Sequence, residues 1–196
     1  MNSPDNKTHH YQRLNAFQLP SGFRGRSAVT VQAWWLVQAT LFAWSPQFMY
    51  GWRRFLLRLF GANIAQGVLI RPSATITYPW KVKIGDFSWV GDEVVLYSLG
   101  EIEIGKHSVI SQRSYICTAS HNYTSPDFSI HANKNTIDDE AWIATDVFIA
   151  PGVTIGRGCV VRARSSVFSD MPSGMICGGS PAKSIRPRAS NESPGT

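Results

Sequence analysis

The sequence predicts an all-β parallel solenoid, a chain wound into stacked three-sided coils, with a helical segment before it and a basic tail after it. Three observations carry this. First, an Ile, Leu or Val returns at every sixth position: Ile64, Ile70, Ile76 and Val82; Ile84, Val90, Leu96 and Ile102; Ile104, Ile110 and Ile116; Ile137, Ile143, Ile149, Ile155, Val161 and Val167. Second, a small or medium residue follows four places on in most hexads: Ser88, Val94, Gly100, Ser108, Ser114, Ser120, Ala141, Val147, Val153, Cys159 and Ser165. Third, turn formers follow the aliphatic residue, as in Ile84-Gly85-Asp86 and Val90-Gly91-Asp92.

A helix repeats its apolar residues three and four apart, and a half-exposed sheet repeats them two apart. A period of six fits neither and marks a repeat architecture. Each hexad makes one short strand and one corner, with the aliphatic residue inward and the small one inside the turn. Three sides close a coil of about 18 residues, and coils stack about 4.8 Å apart through backbone hydrogen bonds. Each buried Ile or Val contributes roughly 1.5–3 kcal/mol against the entropy of ordering the chain. The phase slips by two residues near Pro79-Trp80 and again between Ile102 and Ile104.

The chain has 196 residues, 43% hydrophobic and 16% charged, a globular composition. Its net charge of +6 suits an anionic partner, with basic clusters at Arg53, Arg54 and Arg58 and at Lys183, Arg186 and Arg188. Neither a zinc-finger pattern nor an RNA-binding aromatic motif occurs, so nucleic acid is not an expected partner. Three well-separated cysteines, Cys117, Cys159 and Cys177, fit a reducing compartment. The opening "MNSPDNKTHHYQRLNAF" has no apolar run of a signal peptide, and a cytoplasmic location is expected.

Residues 1–62 read as an arm and helical segment, 63–188 as the solenoid with a loop at 120–136, and 189–196 as a flexible tail. Within the first part, residues 1–26 read as a flexible or peripheral arm. Ala28–Trp44 is the most apolar stretch and short for a membrane span. Ser45-Pro46 ends it, and a second helix is expected over Tyr50–Phe60. Two readings stand for this segment. It caps the open end of the solenoid, or it lies on the inner face of a membrane, with its arginines at anionic headgroups and Trp34, Trp35 and Trp44 at the interface.

Between Ile116 and Ile137 the grid fails over "TASHNYTSPDFSIHANKNT". An excursion from a regular solenoid is usually functional, and this one holds His121 and His131. An imidazole titrating near neutrality can take a proton from a hydroxyl and return it to a departing group. The bland alternative is a loop histidine bonded to backbone. His107, in "GKHS", falls at a corner and reads as solvated, and His9 and His10 as arm residues.

The pattern [LIV]-G-x-x-[STAV]-x resembles the hexapeptide-repeat acyltransferases over residues 64–188. The stretches "YGWRRFLLRLFGA", "VISQRSYICTASHNY", "DDEAWIATDVFIAPGVTIG" and "GGSPAKSIRPR" are similar to the colanic-acid-type O-acetyltransferase branch. The resemblance implies a left-handed parallel β-helix, a hand that the period does not fix. It implies acetyl-CoA as donor, a sugar or lipid-linked saccharide as acceptor, and a homotrimer with sites between neighbouring subunits. It makes His121 the general base and Trp142 a residue of the acceptor or pantetheine channel, with packing as the alternative. It places Ala144, Thr145 and Ala163 along coenzyme A through their backbone, and Lys183 and Arg186 near its phosphates. Asp92 adjoins Gly91, which stands where relatives carry an acceptor-binding Asn, and His131 is a further candidate for substrate binding.

Arg162-Ala163-Arg164-Ser165 replaces the family's common G-A-G-S, which either narrows the cofactor channel or adds phosphate contacts. Phe168-Ser169-Asp170 replaces T-K-D, so a lysine often near the cofactor is absent. Two other functions compete. A non-catalytic membrane-associated trimeric scaffold draws on Arg162 and Arg164. A γ-carbonic-anhydrase-like zinc enzyme needs an H-x-x-x-x-H pair that Pro126 interrupts, so no metal ligands are assigned.

Overall fold

A computed structural model describes residues 11–189. His9, His10 and residues 190–196 of the expected tail lie outside them. The chain is a parallel β-solenoid with three faces. Face A stacks Asn63–Ile64, Val82–Ile84, Ile102–Ile104, Asn135–Ile137 and Thr154–Ile155. Face B stacks Leu69–Ile70, Trp89–Val90, Val109–Ile110, Trp142–Ile143, Val160–Val161 and Met175–Gly179, and Ala182–Pro187 closes it by running antiparallel. Face C stacks Thr75–Ile76, Val95–Tyr97, Tyr115–Cys117, Phe148–Ile149 and Ser166–Val167. The architecture is a left-handed parallel β-helix.

All seventeen grid residues are buried and fill the interior. The serines four places on do more than fit. Ser108 Oγ donates to Asp138 O and accepts from Ala141 N. Ser114 Oγ donates to Ala144 O and accepts from Val147 N. Each hydroxyl thus satisfies backbone groups that the corner strips of their strand partners. At Gly85, an added Cβ would stand 2.7 Å from the Gly105 carbonyl carbon in the next coil, so the corners stack too closely for a side chain.

The uniform 18-residue coil holds only above the loop. In-register partners lie 20 residues apart below it, as Ile64 with Ile84 and Ile84 with Ile104. They lie 33 apart across it, as Ile104 with Ile137, and 18 apart above it, as Ile137 with Ile155. Both phase slips and the long loop fall at one corner, between faces C and A. Gly100 and Ser120 are therefore not inside a turn: Ser120 is exposed, and Tyr78, Ser98 and Thr118 take the inner place. Thr118 Oγ1 donates to Tyr97 O and accepts from Gly100 N. Asn135 Nδ2 donates to Cys117 O, while its Oδ1 accepts from Gly152 N and Val153 N. These buried polar side chains replace the backbone ladder where the corner widens.

Helices α1 (Ala28–Val37, extended by a π-helical turn over Gln38–Phe42) and α2 (Tyr50–Leu59) cover the first coil. Trp34, Phe42, Leu56 and Leu57 are buried against its interior. A first coil exposes a full set of unpaired edge groups, and the helices satisfy many of them. Trp34 Nε1 donates to Ile76 O, and Gln38 Oε1 accepts from Ile76 N. Arg53 Nε donates to Ile70 O, Arg54 Nη1 to Val68 O, and Arg58 Nε and Nη2 to Ile64 O and Ala65 O. All three arginines of the basic cluster thus bond carbonyls at the edge of the coil. The described part of the arm lies at the periphery, held to the solenoid at a few points. Arg13 N donates to Pro126 O, Trp80 Nε1 to Arg24 O and Lys81 Nζ to Phe23 O.

Candidate functional site

The excursion at the C–A corner folds into a hairpin, Ala119–His121 paired antiparallel with Ile130–Ala132. Its tip turns back through Phe128, whose φ of +49° places a bulky residue in the left-handed region. That turn aims the Phe128 carbonyl at His121 Nδ1, 2.8 Å away. A carbonyl only accepts, so Nδ1 carries the hydrogen and Nε2 presents its lone pair. The Phe128 ring stacks on the imidazole at 4.3 Å, and Phe17 from the arm packs against it at 5.8 Å. The imidazole is thereby fixed in tautomer and orientation.

His131 pairs directly with Ser120, so both point to the hairpin face opposite His121. It lines a separate hollow with Phe23, Lys81, Glu101 and Lys134. Within one chain, therefore, the two loop histidines lie on opposite sides of the hairpin, and His131 does not share the groove that Trp142 and Asp92 line. His107 lies exposed at its corner, stacked on Phe87 at 5.3 Å.

A groove of about 600 Å³ runs along face B. Trp89 and Trp142 each precede a grid residue on this face, and both pair with Val109 from opposite sides. They rise as two half-exposed walls with the short Val109 between them. Trp142 Nε1 donates to Ser111 Oγ at 3.0 Å. At the groove's edge, Asp92 accepts from Arg71 Nε at 2.8 Å and Ser73 Oγ at 2.9 Å. Arg71 Nη1 reaches the Tyr50 hydroxyl at 3.5 Å. The hydrogen bond from Arg71 lowers the Tyr50 phenol's pKa, and the contacts with Tyr50 and then Asp92 raise that of Arg71. Trp142 and Asp92, proposed separately from sequence, thus line one groove. Tyr50, Arg71 and Trp89 were not singled out. Trp89 shares Trp142's place in the hexad, a signal the sequence offered, whereas Tyr50 arrives from a helix whose docking no periodicity announces.

Above the groove, Ala144, Thr145 and Ala163 stack at the B–C corner of the upper coils. Ala144 is already engaged: its N–H donates to Val161 O and its C=O accepts from Ser114. Thr145 O accepts from Arg164 N. Among the described residues, the Thr145 N–H and both backbone groups of Ala163 meet no protein partner, so they can bond a ligand lying along the corner. Above them Arg162 lies across Gly178, where a Cβ would touch its side chain at 3.2 Å, and Lys183 pairs in register with that same Gly178. Arg186 sits farther along the closing strand. Arg162, Lys183 and Arg186 are exposed, and none pairs with a carboxylate among the described residues. Arg164 stands 4.0 Å from Asp146, which Arg113 already holds at 2.7 Å. The upper end of the corner is therefore a cationic patch suited to phosphate. Among the described residues, no three His, Cys, Asp or Glu side chains gather where they could hold a metal ion.

His121 does not reach this groove within one chain: it stands at the C–A corner, and the groove lining does not include it.

No family model matches the chain. It is 60% identical over 181 residues, 92% of its length, to the whole of a protein of Escherichia coli (strain K12) named as a colanic acid biosynthesis acetyltransferase, WcaF. The hexapeptide-repeat acetyltransferase VCA0836 of Vibrio cholerae O1 biovar eltor, solved with acetyl coenzyme A, superposes with a TM-score of 0.75 at 25% identity, covering 85% of this chain and 92% of that one. A galactoside acetyltransferase solved with coenzyme A shares the fold, with a TM-score of 0.76 at 20% identity over 89% of this chain and 88% of that one.

Proposed function

Because the chain belongs to the hexapeptide-repeat acetyltransferases of the colanic acid biosynthesis type, we propose that it transfers the acetyl group of acetyl-CoA to a sugar hydroxyl in exopolysaccharide assembly, with His121 as general base. The observation that carries this is the His121–Phe128 contact, which leaves Nε2 free to accept a proton. Acetyl-CoA supplies a thioester. Nε2 takes the hydroxyl proton as the acceptor oxygen bonds to the acetyl carbon, the carbon–sulfur bond breaks, and the imidazolium returns the proton to the departing sulfur. The Phe128 carbonyl stabilises the transient positive charge. The free Thr145 and Ala163 backbone groups suit the donor's amide-bearing arm, and the cationic patch suits its phosphates.

The working unit is a homotrimer. The outward residues of face A are polar, as Lys83, Glu103, Thr136 and Thr154, whereas faces B and C present Trp89, Trp142, Tyr115 and Phe148. A ring of three copies closes head to tail through two different faces of each protomer, and the corner those two faces share lies on the axis. The His121 corner, shared by faces C and A, meets a neighbour's groove and B–C corner when face A is set against that neighbour's face B, so that Trp142 and Asp92 hold the acceptor beside it.

The test is acetyl transfer from acetyl-CoA to a panel of sugars and nucleotide sugars, with acetyl-CoA binding measured in parallel. His121→Ala should bind acetyl-CoA as the wild type does and lose about 10²–10⁴-fold in turnover. Unchanged turnover would remove His121 from the chemistry, and absence of acetyl-CoA binding in the wild type would favour the scaffold.

A further inference from the structure

We propose that the outer face of the helical cap docks on the surface of a bilayer containing anionic lipid. The inner side of the cap is fully occupied by the first coil, yet the outer side is also apolar. Leu36, Leu41, Trp44, Phe48, Phe55 and Leu59 are each more than half exposed. Trp44 and Phe48, at 86% and 81% exposure, stand on the connection between the two helices, the most projecting aromatic pair of the cap. An apolar patch of this kind marks an interaction surface. No helix among the described residues is long and apolar enough to cross a membrane, so the patch lies on the bilayer rather than spanning it.

Charge selects the occupant. Between Asp5 and Asp86 the chain has no Asp or Glu, while the same stretch carries ten Lys and Arg residues. Arg53, Arg54 and Arg58 are bound to backbone carbonyls, but their charge remains at this end, and the exposed Arg13 and Arg26 add to it. Arg26 lies beside Gly61, next to the exposed Leu59. Aromatic side chains within an acid-free, positive surface match the interfacial and electrostatic demands of anionic headgroups. A second copy meeting this face with its own would bring like charges together. The groove strengthens the assignment, because Tyr50, the first residue of α2, lines it. The groove therefore begins at the docking end, where a saccharide carried on a membrane lipid would arrive.

The test is flotation of the full chain with vesicles of phosphatidylglycerol and phosphatidylcholine, with vesicles of phosphatidylcholine alone, and at low and high salt. Wild type should float with the anionic vesicles, less so at high salt. The double variant Trp44→Ser, Phe48→Ser should bind them about tenfold or more weakly while keeping the wild-type unfolding midpoint and acetyl-CoA affinity, since both side chains face solvent. Wild type that stays with the soluble fraction, equal binding to neutral vesicles, or undiminished binding by the variant would overturn the proposal. So would a fall in the variant's molecular mass by light scattering, which would make this face a contact between copies.

Discussion

Replacing Arg53 by Ala tests how the first coil is closed. Its guanidinium is fully buried and donates to four oxygens: Ile70 O at 2.6 Å, Ser45 Oγ at 2.8 Å, Pro46 O at 2.9 Å and Gln47 O at 2.6 Å. Burial lowers its pKa, yet the site supplies only acceptors, so it holds the charged form. In the alanine variant, water can reach Pro46 and Gln47, whose bonds are only part-buried. The Ile70 carbonyl stays dry, whereas the Ser45 hydroxyl keeps its own bond to Phe42 O. One stranded carbonyl and the lost charged donor amount to about 3–5 kcal/mol. For a domain of this size that is a fall of about 6–20 °C in the unfolding midpoint. Arg54→Ala is the control, because it removes one bond, to Val68 O, and should cost about 1 kcal/mol. Urea unfolding followed by circular dichroism, at unchanged slope, gives both values. Equal shifts in the two variants would refute the reasoning and reduce Arg53 to a space filler.

Arg164 adopts φ +59° at a corner where a side chain is strained. Arg164→Gly should raise stability by about 0.5–1 kcal/mol by urea unfolding and weaken acetyl-CoA binding; unchanged affinity by titration would detach this residue from the phosphates. Glu103 accepts from Lys134 and Lys83, contacts that hold its carboxyl near about 2. Because that pKa is depressed, the contribution is complete above the ordinary carboxyl range and is lost as pH falls through it towards 2. The pair is partly exposed, so the effect stays below about 1 kcal/mol. Glu103→Gln should flatten the urea midpoint between about pH 4.5 and 2, and parallel curves would refute the assignment.

The grid was legible because each inward position answers to one local demand: Ile149 fills the same slot whatever its neighbours do. The expectation failed at Gly100 and Ser120, where a widened corner transfers the inner place to Ser98 and Thr118. Two added residues register in sequence only as a phase slip, and nothing in the slip says which side chain turns inward. His121 stood out by breaking the period. Its orienting partner did not, because the Phe128 group that fixes the tautomer is a backbone carbonyl, available to any residue type. The arginines of α2 looked like a surface charge cluster, since a helix sequence does not reveal that a coil's unpaired carbonyls lie against it. Phe17 was lost in the arm for the same reason: its partner is distant in the chain.

The two ends of the stack are finished by different devices, and the difference bears on how the molecule avoids polymerising. Parallel rungs invite a further rung at either terminus, the growth step of a fibril. At the lower terminus, guanidinium groups occupy the carbonyls an incoming strand would need. At the upper terminus, the reversed strand Ala182–Pro187 fills the position on face B. Deleting that strand should leave the lower rim closed and the upper one open, so that copies would join upper rim to upper rim in pairs and grow no further.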